Sequence, residues 1–180
     1  MQNILVVVDM QNDFVSGALG TCEAVDIIPY VVGRVVSGIN MGEKIFFTRD
    51  THQTDYPETL EGRKLPIPHC IQGTEGWEII EQLREYTVDH PIIDKPTFGS
   101  TALGEAVLNE HKQNPIGKIT LIGLCTDICV ISNALLLKAY LPEVEIFVDA
   151  ECCAGVTPAS HHNALDAMHT CQINIENSPL

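Results

Sequence analysis

What most constrains the fold of this chain is a rhythm. Short apolar runs rich in β-branched residues recur as ILVVVD (4–9), KIFFTRD (44–50), PIIDK (91–95), KITLIGL (118–124), VEIFVDA (144–150) and, more weakly, QINI (172–175). Their residues are nearly all apolar rather than alternating, which suits strands buried on both faces of a parallel sheet. Between them, segments 25–42, 75–84, 100–111, 129–140 and 158–170 carry apolar stripes at the 3.6-residue helical period. Strand–helix alternation of this kind requires right-handed βαβ crossovers. The expected fold is therefore α/β: a three-layer α/β/α sandwich around a central, mostly parallel sheet of about six strands. A length of 180 residues fits a single domain over 1–180, long enough to bury a core without metal or disulfide staples.

One segment breaks the rhythm. Residues 50–76, DTHQTDYPETLEGRKLPIPHCIQGTEG, show neither period. A loop of that length in a compact domain is usually functional or disordered. This one starts directly at a strand end and holds two His and several carboxylates, so we expect a site. In open parallel sheets the site lies beyond the carboxyl ends of the strands. There this chain places Asp9 after the first strand, Asp50 and His52 after the second, Lys95 at the end of the third and the turn GLCTDICV (123–130) after the fourth. Alone, such a Cys or Lys is more often structural, and Asp9 is as readily a cap or turn residue as a functional one. Their delivery to one edge from four strands favours the functional reading.

Composition narrows the partners. Ten Lys and Arg against 24 Asp and Glu give a formal charge of −14. Such a surface suits neither nucleic acid nor an anionic membrane, so neither is expected as a partner. No apolar stretch approaches the ~20 residues of a membrane span. The N-terminal MQNILVVVDMQNDF lacks a basic leader and its apolar run stops at Asp9, so it reads as a strand rather than a signal peptide. The seven cysteines are odd in number and include the adjacent Cys152 and Cys153. Reduced thiols and a cytoplasmic location are the expectation.

A cysteine attacks as the thiolate, whose pKa of roughly 8.5 in a free thiol must be overcome. A helix is expected to begin at about 126–129, so Cys129 meets its N-terminal dipole. Lys95 can add positive charge and Asp9 can accept the proton. Cys129 is therefore the candidate nucleophile. Cys125, in the strand-to-helix turn, fits better as a small residue whose backbone N–H helps hold an oxyanion together with that of Cys129. In the long loop, Asp50, His52 and His69 supply carboxylate and imidazole ligands suited to zinc, iron or manganese.

These residues, in this order, resemble the isochorismatase-like cysteine hydrolases, the superfamily that includes nicotinamidases. The matching segments are VVVDMQNDFVSGAL, FFTRDTH, PHCIQGTEGW, IIDKPTFGSTAL and LIGLCTDICVISNAL, which span residues 4 to about 150. The resemblance implies a triad of Asp9, Lys95 and Cys129 that hydrolyses an amide through a thioester, with Gln11 and Asp13 in support. It implies a cis peptide at Leu124–Cys125 and an oxyanion site at the N–H groups of Cys125 and Cys129. It also implies a divalent metal, zinc first, held by Asp50, His52, His69 and a fourth ligand, with Glu61 preferred over Glu58. The stretch LPIP precedes PHC where nicotinamidases often carry an aromatic, so Phe14 is the remaining ring-stacking wall, with Leu124 beside it in the substrate pocket.

The leading expectation is a cysteine amidohydrolase that converts nicotinamide to nicotinate and ammonia, assembled as a homo-oligomer, as family members commonly are. The alternatives are the same triad acting on another small amide or ureido compound, or a non-catalytic interaction domain, against which the intact Asp9, Lys95 and Cys129 speak. Isochorismate cleavage needs neither the nucleophile nor a metal site, and the extra residues argue against it.

Overall fold

The computed structural model describes residues 1–178. Six strands, β1 (Gln2–Val8), β2 (Lys44–Asp50), β3 (Ile92–Lys95), β4 (Ile116–Leu124), β5 (Glu145–Ala154) and β6 (Asn174–Glu176), form one sheet in the order β3-β2-β1-β4-β5-β6. Every pairing is parallel. The strand direction of progress reverses between β1 and β4, so a crevice opens at their carboxyl ends. At that point Gly123 adopts φ +112°, and a Cβ there would fall 2.1 Å from the Val8 carbonyl oxygen. Only glycine lets the two central strands approach so closely.

The described residues form eight α-helical segments: α1 (Asn12–Val15), α2 (Cys22–Asp26), α3 (Ile28–Asn40), α4 (Leu60–Lys64), α5 (Glu81–Arg84), α6 (Thr101–Gln113), α7 (Ile131–Tyr140) and α8 (Pro158–Thr170). Side chains along β1 alternate between two core clusters. Ile4, Val6 and Val8 join Leu103, Val107, Ala134, Leu137, Leu165 and Met168 of α6, α7 and α8. Leu5 and Val7 join Val31 and Val35 of α3 and Leu83 of α5 on the other face. All five β1 residues are completely buried. At roughly 1.5–3 kcal/mol per buried aliphatic side chain, this two-sided burial fixes the strand in the middle of the sheet.

The helix expected over 75–84 does not form as one element. A 3₁₀ turn covers Glu75–Trp77, the chain then runs extended, and α5 starts only at Glu81. The reason is tertiary. Ile79 bridges antiparallel to Gln11, and the Ile80 N–H donates to the Met10 carbonyl at 3.0 Å. Both isoleucines are 3% exposed. Their burial beside the first strand end outweighs a local helical preference. The helix expected from residue 129 likewise starts differently: Thr126–Val130 form one wide π turn before α7.

Candidate active site and metal cluster

Asp9 is the first residue beyond β1 and takes a left-handed backbone, φ 47°. That conformation turns the chain out of the sheet and leaves the carboxylate at its carboxyl edge. The Thr48 hydroxyl donates to Asp9 Oδ1 at 2.6 Å and accepts from the Asp9 N–H at 3.2 Å. Oδ2 accepts no well-aimed hydrogen bond. It is the oxygen with a lone pair left for a proton. Thr48 had no signal in the sequence beyond its place inside a strand, two residues before Asp50.

Lys95 ends β3, where its register partner on β2 is Asp50. Its ammonium is buried and lies 2.6 Å from Asp9 Oδ2, 3.3 Å from Asp50 Oδ1, 3.4 Å from Cys129 Sγ and 3.2 Å from the Thr97 carbonyl. One cation thus ties together three strand ends. Burial works against its charge, but Asp9 beside it outweighs that cost and holds the ammonium protonated well beyond the usual lysine range.

Cys129 is the fourth residue of the Thr126–Val130 turn, so its N–H belongs to the first turn, where backbone donors lack intrahelical partners. The Leu124–Cys125 peptide is cis. The turn is fastened from two sides. Thr126 Oγ1 lies 2.8 Å from His161 Nδ1, and Asp127 accepts from the Val156 N–H at 3.1 Å. Asn133 accepts from Ser100 N–H and donates to the carbonyls of Cys129 and Phe98, which ties the segment after Lys95 to the helix that carries Cys129. Burial pushes the Cys129 thiol well above its ordinary range, and Asp9 adds to the effect. Burial also raises Asp9, with Lys95 pulling the other way. Burial thus favours the neutral thiol and makes Asp9 a stronger base than an exposed carboxylate. Such a pair can pass the proton as sulfur attacks rather than beforehand.

The long loop closes over this edge. Asp50, His52, Glu61 and His69 offer ligand atoms that all lie within 4.8 Å of one another. His52 Nε2 is 3.1 Å from Asp50 Oδ2 and 3.7 Å from Glu61 Oε1, while His69 Nε2 is 3.7 Å and 3.9 Å from the same two oxygens. Ligands about 2.1 Å from a tetrahedral metal would stand roughly 3.4 Å apart, so the cluster fits an ion with little movement. His69 Nδ1 lies 2.8 Å from the Ile67 carbonyl, a contact that fixes the ring and leaves Nε2 facing the cluster. Burial opposes charge on Asp50, yet hydrogen bonds from His52 and His69 and the Lys95 charge hold its carboxyl below the usual range. Glu61 joins the cluster because Thr59 caps α4 and sets the helix beside the histidines. Glu58, one turn earlier, is exposed and stays outside the group.

Two residues expected in support hold this loop by its backbone. The Gln11 carboxamide donates to the carbonyls of Asp50 and Trp77 and accepts from the Asp50 N–H at 2.7 Å. Asp13 accepts from the Cys70 N–H at 2.8 Å, beside His69.

Between Cys129 and the cluster lies a cavity of about 380 Å³ whose walls include Phe14, Leu60, Leu65, Phe98, Cys125 and Ile128. The Phe14 ring stands 5.5 Å from that of His69. Leu124 is elsewhere: it is 1% exposed and packs in the core cluster on the α3 face. As the last residue of β4 it points into the sandwich, and the pocket wall expected of it is supplied by Cys125 and Ile128. Leu60 and Leu65 went unnoticed because the loop carries no periodicity to place them.

Comparison with known proteins agrees with this geometry. The isochorismatase domain model matches residues 3–177. An isochorismatase family protein, PncA, of Bacillus subtilis is 29% identical over 92% of this chain and 93% of its own. The crystal structure of nicotinamidase/pyrazinamidase PncA from the same organism superposes with a TM-score of 0.83 at 26% identity, covering 98% of this chain and all of that one. The pyrazinamidase of Pyrococcus horikoshii in complex with zinc gives 0.81 at 28%, over 97% and 98% of the two chains. N-carbamoylsarcosine amidase from Thermoplasma acidophilum gives 0.79 at 25%, over 98% and 96%. With a domain match over nearly its whole length, this chain belongs to the isochorismatase family.

Proposed function

We propose that this amide-hydrolysing enzyme converts nicotinamide to nicotinate and ammonia through a thioester on Cys129. The observation that carries the reading is the convergence of Cys129 and Asp9 on the Lys95 ammonium, 3.4 Å and 2.6 Å away, across a cavity from a two-histidine, two-carboxylate cluster. Sulfur forms a bond to the amide carbon as its proton passes to Asp9. The carbonyl oxygen takes the negative charge, facing the N–H groups of Cys125 and Cys129. Collapse breaks the carbon–nitrogen bond, and Asp9 returns the proton to the leaving nitrogen as ammonia departs. Water then adds to the thioester, giving its proton to Asp9, and the carbon–sulfur bond breaks to release the acid and restore the thiol. Lys95 keeps the charges of Asp9 and the developing thiolate balanced throughout.

A divalent ion held by Asp50, His52, Glu61 and His69, zinc in the first instance, would supply Lewis acidity toward a ring nitrogen. Phe14, beside His69, gives the ring an apolar wall. The nicotinamidase names among the relatives and the apolar cavity support the pyridine substrate. The likeness to N-carbamoylsarcosine amidase favours, as the second reading, a small ureido substrate on the same triad. The unpaired cysteines suit a reducing compartment, and the reading places a homo-oligomeric enzyme in the cytoplasm. Incubating the purified protein with nicotinamide and zinc tests the leading reading. It predicts stoichiometric ammonia and nicotinate, and no release while a carbamoyl compound is hydrolysed would select the second reading.

A further inference from the structure

The cavity holds more than the proposed substrate needs. At interior packing density, nicotinamide would occupy roughly half of the 380 Å³. The walls include Leu60, Leu65 and Phe98, of which Leu60 is 64% and Phe98 44% exposed, so the cavity opens outward beside them. Lys64 stands on the same wall and is exposed. Among the described residues it is the only Lys or Arg lining the cavity. Among the described residues Lys64 has no acidic partner. Its neighbour Arg63 differs: that guanidinium turns back to the Glu58 carbonyl. The end of α4 therefore has one cation tied to its own backbone and one residue, Lys64, that lines the cavity.

In a chain of formal charge −14, an exposed lysine without an acidic partner on the lining of an apolar cavity is a local reversal of sign. The other charged walls, Asp50 and Glu61, belong to the ligand cluster. We propose that the site is built for carboxamides extended by an apolar arm that ends in a carboxylate, with the arm against Leu60, Leu65 and Phe98 and its charge on Lys64. The inference rests on the amidase reading of Cys129 but not on nicotinamide being the physiological substrate.

The test compares kcat/KM for three probes: nicotinamide, nicotinamides carrying a carboxypropyl arm at ring position 5 or 6, and the corresponding methyl esters. For at least one position the carboxylate is expected to exceed its ester by about three- to fivefold, mainly through KM, in line with an exposed ion pair. Raising the salt concentration should shrink that ratio. Lys64→Gln should bring the ratio close to one, and Lys64→Glu should invert it. Equal kcat/KM for acid and ester at both positions, or a ratio indifferent to Lys64→Glu, overturns the inference while leaving nicotinamide hydrolysis standing. Hydrolysis of the extended acid without nicotinamide turnover would support the inference and overturn the nicotinamide reading. No hydrolysis of any probe overturns both.

Discussion

Replacing Lys95 with methionine keeps an unbranched side chain, one atom shorter, and removes its charge, and the structure says what that leaves behind. Two carboxylates, Asp9 and Asp50, lie 2.6 Å and 3.3 Å from the ammonium, and both are buried, at 0% and 2% exposure. Removing one partner of a buried ion pair costs about 3–5 kcal/mol because the other charge stays desolvated. With a urea m-value of about 2 kcal/mol per molar, the unfolding midpoint of Lys95→Met should fall by about 2 M at pH 7. The experiment is run after chelation, so that no divalent ion neutralises Asp50.

The deficit should depend on pH in one direction. Asp9 already titrates above its ordinary 3.8 because burial disfavours its charge, and Lys95 is the main group pulling it down. Without Lys95 the folded-state pKa rises further above the unfolded value. The folded variant then binds a proton that the unfolded chain releases, so it gains stability as pH falls from 7 toward 3.8. The gap from wild type should narrow over that window. Adding Asp9→Asn to Lys95→Met removes both charges and should recover part of the loss at pH 7, a coupling that a double-mutant cycle reads directly. Equal midpoints at pH 7, or a gap that widens in acid, would refute the reasoning.

Three further outcomes are expected. Gln11→Ala removes two buried hydrogen bonds and a partly buried one and strands the N–H and C=O of Asp50, so thermal or urea unfolding should show a loss of about 2–4 kcal/mol, and a zinc titration should show weaker binding. Glu61→Gln should lower bound zinc by elemental analysis while Glu58→Gln does not, since only Glu61 stands with the histidines. The acid limb of kcat/KM should have its midpoint above 3.8, because Asp9 must be ionised to take the thiol proton and burial raises it. Moving that limb below 3.8 would remove Asp9 from the base role.

Much of the fold was legible because β-branched runs have little else to become. KIFFTRD forms β2 over the residues expected, and PASHHNALDAMHT forms α8, started by a capping box of Thr157 and Ser160. The run expected to end at Ala150 continues to Ala154, because Cys152, Cys153 and Ala154 are buried and apolar enough to extend β5. The failure at 75–84 came from contacts that no local pattern encodes, namely those of Ile79 and Ile80 with the first strand end. In the site, Asp9, Lys95 and Cys129 could be found because each stands next to a legible strand. The choice between Glu61 and Glu58 could not be made that way. Both lie in an aperiodic loop, where the resemblance could only rank Glu61 first, and the geometry of α4 is what sets it beside the histidines. Leu124 was misplaced because the sequence locates the turn but not which way its last strand residue points.

The central claim is that Cys129, and no other thiol, carries the acyl group. Rapid mixing with nicotinamide, acid quench and peptide mass spectrometry test it most directly. The account predicts a nicotinoyl thioester localised to Cys129 in the wild type, with neither adduct nor ammonia from Cys129→Ala. An adduct on Cys125, or ammonia released by Cys129→Ala at the wild-type rate, would contradict it.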